Sequence, residues 1–123
     1  MSSPRQAAGH AVEAAAEQHL VAAGLHPLAR NVSCRMGELD LVMRDGDALV
    51  FVEVRYRAGG DYGGAAASVT RSKRARLVAA ARWYLMRNPR LANAPCRFDV
   101  VAVEGAGESR RLEWLRDAFR IES

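Results

Sequence analysis

Two acidic residues stand in segments whose other side chains are apolar. Asp40 lies in the segment 39–42, and Glu53 lies in the run 48–54. Burying a carboxylate without a partner costs several kcal/mol, so each must be protonated, paired with a basic residue or bound to a cation. Two carboxylates with open positions for water and a phosphate oxygen suit Mg²⁺ or Mn²⁺. We therefore expect Asp40 and Glu53 to bind Mg²⁺ or Mn²⁺, which would activate water and stabilise charge on a phosphate.

The pairing of their strands decides whether the two acids can share an ion. The turn Asp45-Gly46-Asp47 separates segment 38–44 from segment 48–57 and predicts a β-hairpin. A loop with an even number of residues puts Asp40 opposite Glu53, whereas an odd loop puts them on opposite faces. We predict the even loop, because two facing carboxylates can share one cation while two separated ones are merely costly.

The alternative to a metal ion is an ion pair between Glu53 and a nearby basic residue. The candidates are Arg55, Arg57 and Lys73. Lys73 is the only lysine among the 18 lysines and arginines, and it falls on the apolar stripe of the second predicted helix. A lysine there can cover apolar surface with its stem and carry its ammonium to a buried anion. We expect Lys73 to reach toward Asp40 and Glu53.

Apolar periodicity predicts the elements that must position these side chains. In chain order they are a helix over about 5–23, strands over 28–34, 38–44 and 48–57, a helix to about 87, a strand over 96–103, and a last strand over 111–115 before a short C-terminal helix. Gly24 is suited to end the first helix, and Ser68 or Thr70 can cap the second. The order α-β-β-β-α-β predicts an α/β fold, a mixed central sheet flanked by helices. We expect one domain, residues 1–123.

Charge and composition narrow the class of protein. The net charge is +4, and nine basic residues against one acid lie between Arg55 and Arg90, which fits a solvated face or a phosphate-binding patch. The glycine-rich segment 58–67 lacks the Gly-Lys-Ser/Thr ending of a phosphate-binding loop, and two cysteines are too few for a zinc site. There is no apolar leader and no run of ~18 apolar residues, so we expect a cytoplasmic protein without membrane contact.

Four segments resemble the YraN-like family of bacteria, and the resemblance runs from about Gly9 to Phe119. They are Gly37-Glu38-Leu39-Asp40-Leu41-Val42, Phe51-Val52-Glu53-Val54-Arg55-Tyr56-Arg57, Tyr62-Gly63-Gly64-Ala65-Ala66-Ala67-Ser68-Val69 and Cys96-Arg97-Phe98-Asp99-Val100-Val101. The resemblance implies the restriction-endonuclease-like fold of the PD-(D/E)xK nucleases, in particular their Holliday-junction-resolvase-like branch. That fold has a glutamate on the first helix, an aspartate ending one strand and Glu-x-Lys on the next.

Carried over by position, these residues are Glu13, Asp40 and Glu53. Helical spacing puts Glu13 beside the buried stripe and Glu17 further toward solvent. The chain departs from the pattern at Arg55, which stands where the lysine should be. An arginine cannot act as a general base, although it can orient a phosphate. We expect Lys73 to stand in for the missing lysine.

The residues and the resemblance together predict a metal-dependent endonuclease that acts on DNA rather than RNA, including branched or structured DNA. The predicted catalytic residues are Glu13, Asp40, Glu53, Arg55 and Lys73, and the predicted nucleic-acid contacts are Arg57, Tyr62, Arg71 and Arg74. Asp99 is either a lower-ranked site residue or the ion-pair partner of an arginine. Resolvase-like enzymes often act as dimers, so a homodimer is expected. The alternatives are a non-catalytic nucleic-acid-binding module with the same fold, or a protein whose basic helix meets an acidic partner.

Overall fold

The computed structural model of the chain describes residues 4–57 and 69–120, with side chains described from Gly9 onward. Its elements are α1 (Pro4–Ala22), β1 (His26–Cys34), β2 (Gly37–Asp45), β3 (Ala48–Arg57), α2 (Arg71–Arg87), β4 (Cys96–Glu104) and β5 (Arg111–Phe119), with short 3-10 turns at Pro89–Leu91 and Gly107–Ser109. The predicted α/β class and the order of its elements are confirmed.

The five strands form one mixed sheet in the order β1-β2-β3-β4-β5. Strands β3 and β4 are parallel, and the other neighbours are antiparallel. Two parallel neighbours need a crossover connection, and α2 lies on the one that joins β3 to β4. This topology puts β3 at the centre of the sheet and carries α2 across one of its faces.

Each helix packs on a separate apolar cluster, and β3 contributes to both. Helix α2 packs its buried residues on a cluster that contains Phe51 and Phe98. Helix α1 packs Ala16 and Leu20 on a second cluster that contains Val52. Side chains alternate between the two faces of a strand, so β3 is apolar on both sides because both sides are covered. This confirms the expectation of a central strand.

The helix ends follow from local chemistry. Gly24 has φ +105°, and its N–H donates to the carbonyl of Val21, which ends α1 in a conformation that favours glycine. At the start of α2 the Thr70 hydroxyl accepts a hydrogen bond from the N–H of Lys73 at 3.2 Å. Of the two predicted caps, Thr70 is the one that acts.

The β2–β3 hairpin has the even loop that was predicted. Asp45 pairs with Ala48, which leaves a two-residue loop whose Gly46 has φ +59°. The ladder continues to Leu41 opposite Val52. One further residue along each strand puts Asp40 across from Glu53.

The C-terminal segment differs from the prediction, because β5 continues to Phe119 where a short helix was expected. Phe119 pairs with Phe98, and their rings stack with centroids 4.7 Å apart. The register of β4 with β5 shifts between Val100 and Phe98, next to Asp117 at φ +54°, and the two strands pair again at Phe119. Packing of Phe119 on the core therefore outweighs the local helical pattern, and the predicted helix is wrong.

Among the described residues, no helix combines the length and the apolar character that crossing a membrane requires.

We predict that Thr70→Ala lowers the free energy of unfolding by about 1 kcal/mol, because the N–H of Lys73 loses its capping oxygen. Urea denaturation measures this loss as a lower midpoint, with an unchanged dependence of the unfolding free energy on urea concentration. Thr70→Ser, which keeps the hydroxyl, should lose only a small part of it. Equal stability of the alanine and serine variants would contradict a capping role for Thr70.

Candidate functional site

Strands β2 and β3 part at Asp40, and the Asp40 side chain bridges the gap between them. Its Oδ2 atom accepts a hydrogen bond from the backbone N–H of Val54 at 2.8 Å. The carboxylate thus takes the place of a carbonyl group that would otherwise pair in the ladder. This bond holds the Asp40 carboxyl at the fork between two central strands, beside Glu53.

Glu53 is buried at 6% exposure, and two basic side chains compensate its charge. The Nζ atom of Lys73 lies 2.7 Å from Glu53 Oε1, and a guanidinium nitrogen of Arg55 lies 3.8 Å from the same oxygen. Lys73 comes from the first turn of α2 and Arg55 from β3 itself. The ion pair that was the alternative to a metal is therefore present, and Lys73 reaches Glu53 as expected.

Asp40, in contrast, has no basic partner among the described residues. Burial, followed by the negative charge of Glu53, raises the pKa of Asp40 to about 8, although the hydrogen bond from Val54 opposes the shift. The charge of Glu13 and a hydrogen bond between the carboxyl groups of Asp40 and Glu53 raise it further. Near neutral pH Asp40 therefore keeps its proton, because it is buried beside a negative charge and no basic side chain of the described residues pairs with it.

Glu13 approaches the same place from α1. Burial and the charge of Glu38 raise its pKa, while the charge of His10 and a hydrogen bond with Asn31 lower it. Glu13 and Asp40 line one wall of a common cavity. The residue predicted on the first helix thus lies beside the carboxylate pair.

Asn31 was missed by the sequence analysis. It lies on β1 between residues that pair with Leu39 and Leu41, which puts it across from Asp40. Its φ of +50° is a left-handed conformation that asparagine tolerates better than most residues. An asparagine inside a strand pattern was the available signal.

A cleft of about 240 Å³ opens over the carboxylate pair. Its walls include Glu38, Asp40, Glu53, Lys73 and Arg76. A water occupies about 30 Å³ in the liquid, so the cleft has room for an ion with several waters. Arg76, which is exposed and was not predicted, adds positive charge at this opening.

The donor set of this cleft fits Mg²⁺ or Mn²⁺ rather than a fully protein-ligated metal. Within residues 4–57 and 69–120, no three His, Cys, Asp or Glu side chains converge to hold an ion. Mg²⁺ needs only one or two carboxylates when waters and phosphate oxygens complete its shell. Asp40 and Glu53 supply two carboxylates, and the pKa of Asp40 is raised by burial and by the negative charge of Glu53, which a cation would offset.

The predicted nucleic-acid contacts differ in their surroundings. Arg71 is exposed at the start of α2. A guanidinium nitrogen of Arg57 lies 3.0 Å from Glu113, and Arg74 donates to the carbonyl of Val69 while its guanidinium lies over the ring of Phe119. Tyr62 lies outside the described residues.

The structure corrects the prediction for Glu17, which is buried rather than turned toward solvent. Its exposure is 7%, and both of its carboxylate oxygens accept hydrogen bonds from Arg30 of β1. Helical spacing describes α1 alone and takes no account of a long arginine that folds over it from the sheet. The expectation that Glu17 lies toward solvent was wrong.

Asp99 is fully buried, and protein groups satisfy both of its oxygens. Arg97 Nε and the backbone N–H of Asp117 donate to Oδ1 at 3.1 and 2.9 Å, and the indole N–H of Trp114 donates to Oδ2 at 2.9 Å. Of its two predicted roles, the ion pair with an arginine is the observed one. Asp99 ties β4 to β5.

Comparison with known sequences gives consistent matches over most of the chain. A sequence model described as "Uncharacterised protein family UPF0102" matches residues 12–103. A UPF0102 protein of Saccharophagus degradans is 56% identical over 113 residues, which cover 92% of each chain. One from Xylella fastidiosa strain 9a5c is 58% identical over 118 residues, 96% of each chain. One from Xanthomonas campestris pv. campestris is 57% identical over 122 residues, 99% of this chain and 98% of the relative.

We predict that the protein without metal loses stability as the pH rises from about 4 to about 8. The folded state raises the pKa of Asp40 from its ordinary value of 3.8 to about 8, so it keeps a proton that the unfolded chain has released. This stabilisation is complete below the unfolded pKa and is lost as the pH passes the folded pKa. Asp40→Asn should remove the dependence and be more stable than wild type at pH 8 by about 1 to 3 kcal/mol.

Urea denaturation in EDTA at pH 5 and pH 8 measures this difference. Parallel stability changes in wild type and Asp40→Asn would contradict the assignment of the retained proton to Asp40.

Proposed function

We propose that this chain, which belongs to the protein family UPF0102, is a metal-dependent endonuclease that hydrolyses phosphodiester bonds of DNA. The observation that carries the proposal is that Lys73 Nζ lies 2.7 Å from Glu53 Oε1, in the cleft that Asp40 also lines. An aspartate, a glutamate and a lysine together resemble the active-site set of the PD-(D/E)xK nucleases. In this chain the lysine would come from α2, because Arg55 occupies the strand position where those nucleases have their lysine.

Asp40 and Glu53 are the residues that would hold Mg²⁺ or Mn²⁺. When bound, such an ion supplies a water of lowered pKa and stabilises charge on a phosphate. Asp40 would have to release its proton before its carboxylate could bind a cation, so uptake of the ion would release a proton. Glu13, on the other side of Asp40, is suited to orient a water by accepting its hydrogen bond.

Lys73 and Arg55 provide fixed positive charge where a scissile phosphate would lie. Lys73 is held by its ion pair with Glu53, and its backbone N–H is held by the Thr70 cap. A preorganised cation stabilises charge that develops on phosphate oxygens without further rearrangement. Arg55 lies further from Glu53, at 3.8 Å, and is suited to orient the phosphate.

The surface around the cleft favours a polyanionic substrate. Arg71 and Arg76 are exposed on the same helix as Lys73, and the chain carries a net charge of +4. Arginine side chains beside a cleft bind phosphate oxygens and make the affinity salt-dependent. These charges would hold the DNA backbone across the carboxylate pair.

To test the proposal, branched, duplex and single-stranded DNA and the matching RNAs are incubated with the protein and Mg²⁺ or Mn²⁺. We expect DNA cleavage that EDTA stops and that the Asp40→Ala plus Glu53→Ala double variant lacks. Equal cleavage by the double variant would point to a contaminating nuclease. Salt-dependent DNA binding with neither cleavage nor Mn²⁺ uptake would favour the non-catalytic binding module.

We predict that Lys73→Ala lowers the cleavage rate about 100-fold or more, the usual cost of removing one preorganised donor. Arg55→Ala should lose less, since its guanidinium is further from Glu53. Arg90→Ala is the matched control, because Arg90 is exposed and does not line the cleft. Rates from single-turnover cleavage in Mn²⁺ measure all three. A Lys73→Ala variant that cleaves as fast as the control would remove Lys73 from the site.

A further inference from the structure

A second cavity, of about 620 Å³, lies on the other side of Asp40. It is bounded by the first half of α1, the second half of β3 and the turn between β4 and β5. Gly9 and Val12 of α1, Val54 of β3 and Ala106 of the turn give it walls that are mainly apolar. A volume of this size is typical of sites that bind small molecules or parts of larger ones.

Asp40 connects this cavity with the smaller cleft, because it lines both. A phosphate held at Asp40 and Glu53 would therefore have the larger cavity directly beside it. A group of the same molecule that enters the cavity would be covalently close to that phosphate. In a DNA strand that group is the base or sugar of an adjacent nucleotide.

The polar groups of the cavity are few. Arg110 lines the cavity, and its Nε atom is buried without a hydrogen-bond partner among the described residues. No ion pair of Arg110 occurs among the described residues. Among the described residues that line the cavity, Arg110 is the one basic side chain, so its guanidinium is the group suited to donate to a ligand there.

We propose that this cavity receives the unpaired base of a nucleotide next to the scissile phosphate. The inference rests on the proposed function and adds a substrate class, DNA with a base free to leave the stack. Apolar walls suit the faces of a base, and Tyr56, which is 59% exposed and lines the same cavity, can stack on it. Arg110 and Glu13 can then donate to and accept from the polar edge of the base.

Gly9 allows the cavity to be filled without touching the carboxylates. A Cβ atom at Gly9 would meet nothing within 4 Å, so a larger side chain can enter the open space. Glycine inside a helix is less favourable than alanine by about 1 kcal/mol, so substitution need not weaken α1. Gly9→Phe adds an aromatic ring at a residue that lines the cavity, whereas Gly9→Ala adds one methyl group and leaves the cavity open.

The test compares the affinity for two DNA duplexes that differ by a single unpaired adenine in the middle of one strand. Binding is measured by fluorescence anisotropy in EDTA, so that cleavage plays no part. We expect wild type and Gly9→Ala to bind the bulged duplex about 10-fold more tightly, as stacking of one base provides. Gly9→Phe should bind both duplexes with the affinity that wild type has for the paired one.

Arg110→Met tests the opposite wall and should also reduce the preference, with thermal melting to establish that each variant is folded. A Gly9→Phe protein that is unfolded leaves Arg110→Met to decide the question. A folded Gly9→Phe that keeps the preference would overturn the inference. Wild type that binds both duplexes equally would overturn it too and leave the proposed endonuclease intact. Wild type that binds neither duplex would overturn this inference, and the cleavage assay in Mg²⁺ or Mn²⁺ decides the proposed function separately.

Discussion

Like-charge repulsion between two carboxyl groups in a poorly solvated place is the constraint around which this protein is arranged. Asp40 and Glu53 face each other at the fork of the two central strands, and burial weakens the screening that water would provide. Lys73 neutralises one of them, and the other keeps a proton. Burial of the Asp40 carboxyl group and the adjacent charge of Glu53 together keep the pKa of Asp40 at about 8. Carboxyl groups with such perturbed pKa values are common at functional sites.

The topology of the sheet makes this arrangement accessible. Since β3 and β4 run parallel, the chain must cross one face of the sheet between them, and α2 is built on that crossover. Its first turn passes over Glu53, where the Thr70 cap fixes the backbone of Lys73. A lysine of the helix thus reaches a glutamate of the preceding strand. The distance along the chain is large, but the distance in space is 2.7 Å.

Asp40 and Asp99 are two acids in apolar strands that have very different partners. Both stand in apolar strands, and the sequence alone does not tell them apart. Asp99 receives hydrogen bonds from Arg97, Trp114 and the backbone of Asp117, so that its charge is fully compensated. Asp40 receives one from Val54 and otherwise faces acids. Burial of an acid is therefore a weak indication of function, and the nature of its partners is a stronger one.

Local patterns in the sequence determined a large part of the fold and part of the site. Apolar periodicity, the turn at Gly46 and the cap at Thr70 act between residues close in the chain, so the helices, the hairpin and the facing of Asp40 and Glu53 were predictable. The position of Lys73 on an apolar stripe also indicated that its side chain points toward the buried carboxyl groups. The tertiary structure alone decided which partners meet across elements: Arg30 over Glu17, Phe119 on Phe98, Asn31 beside Glu13, and the cavity beside Asp40. These contacts depend on where long side chains and separate strands come together, which no single segment encodes.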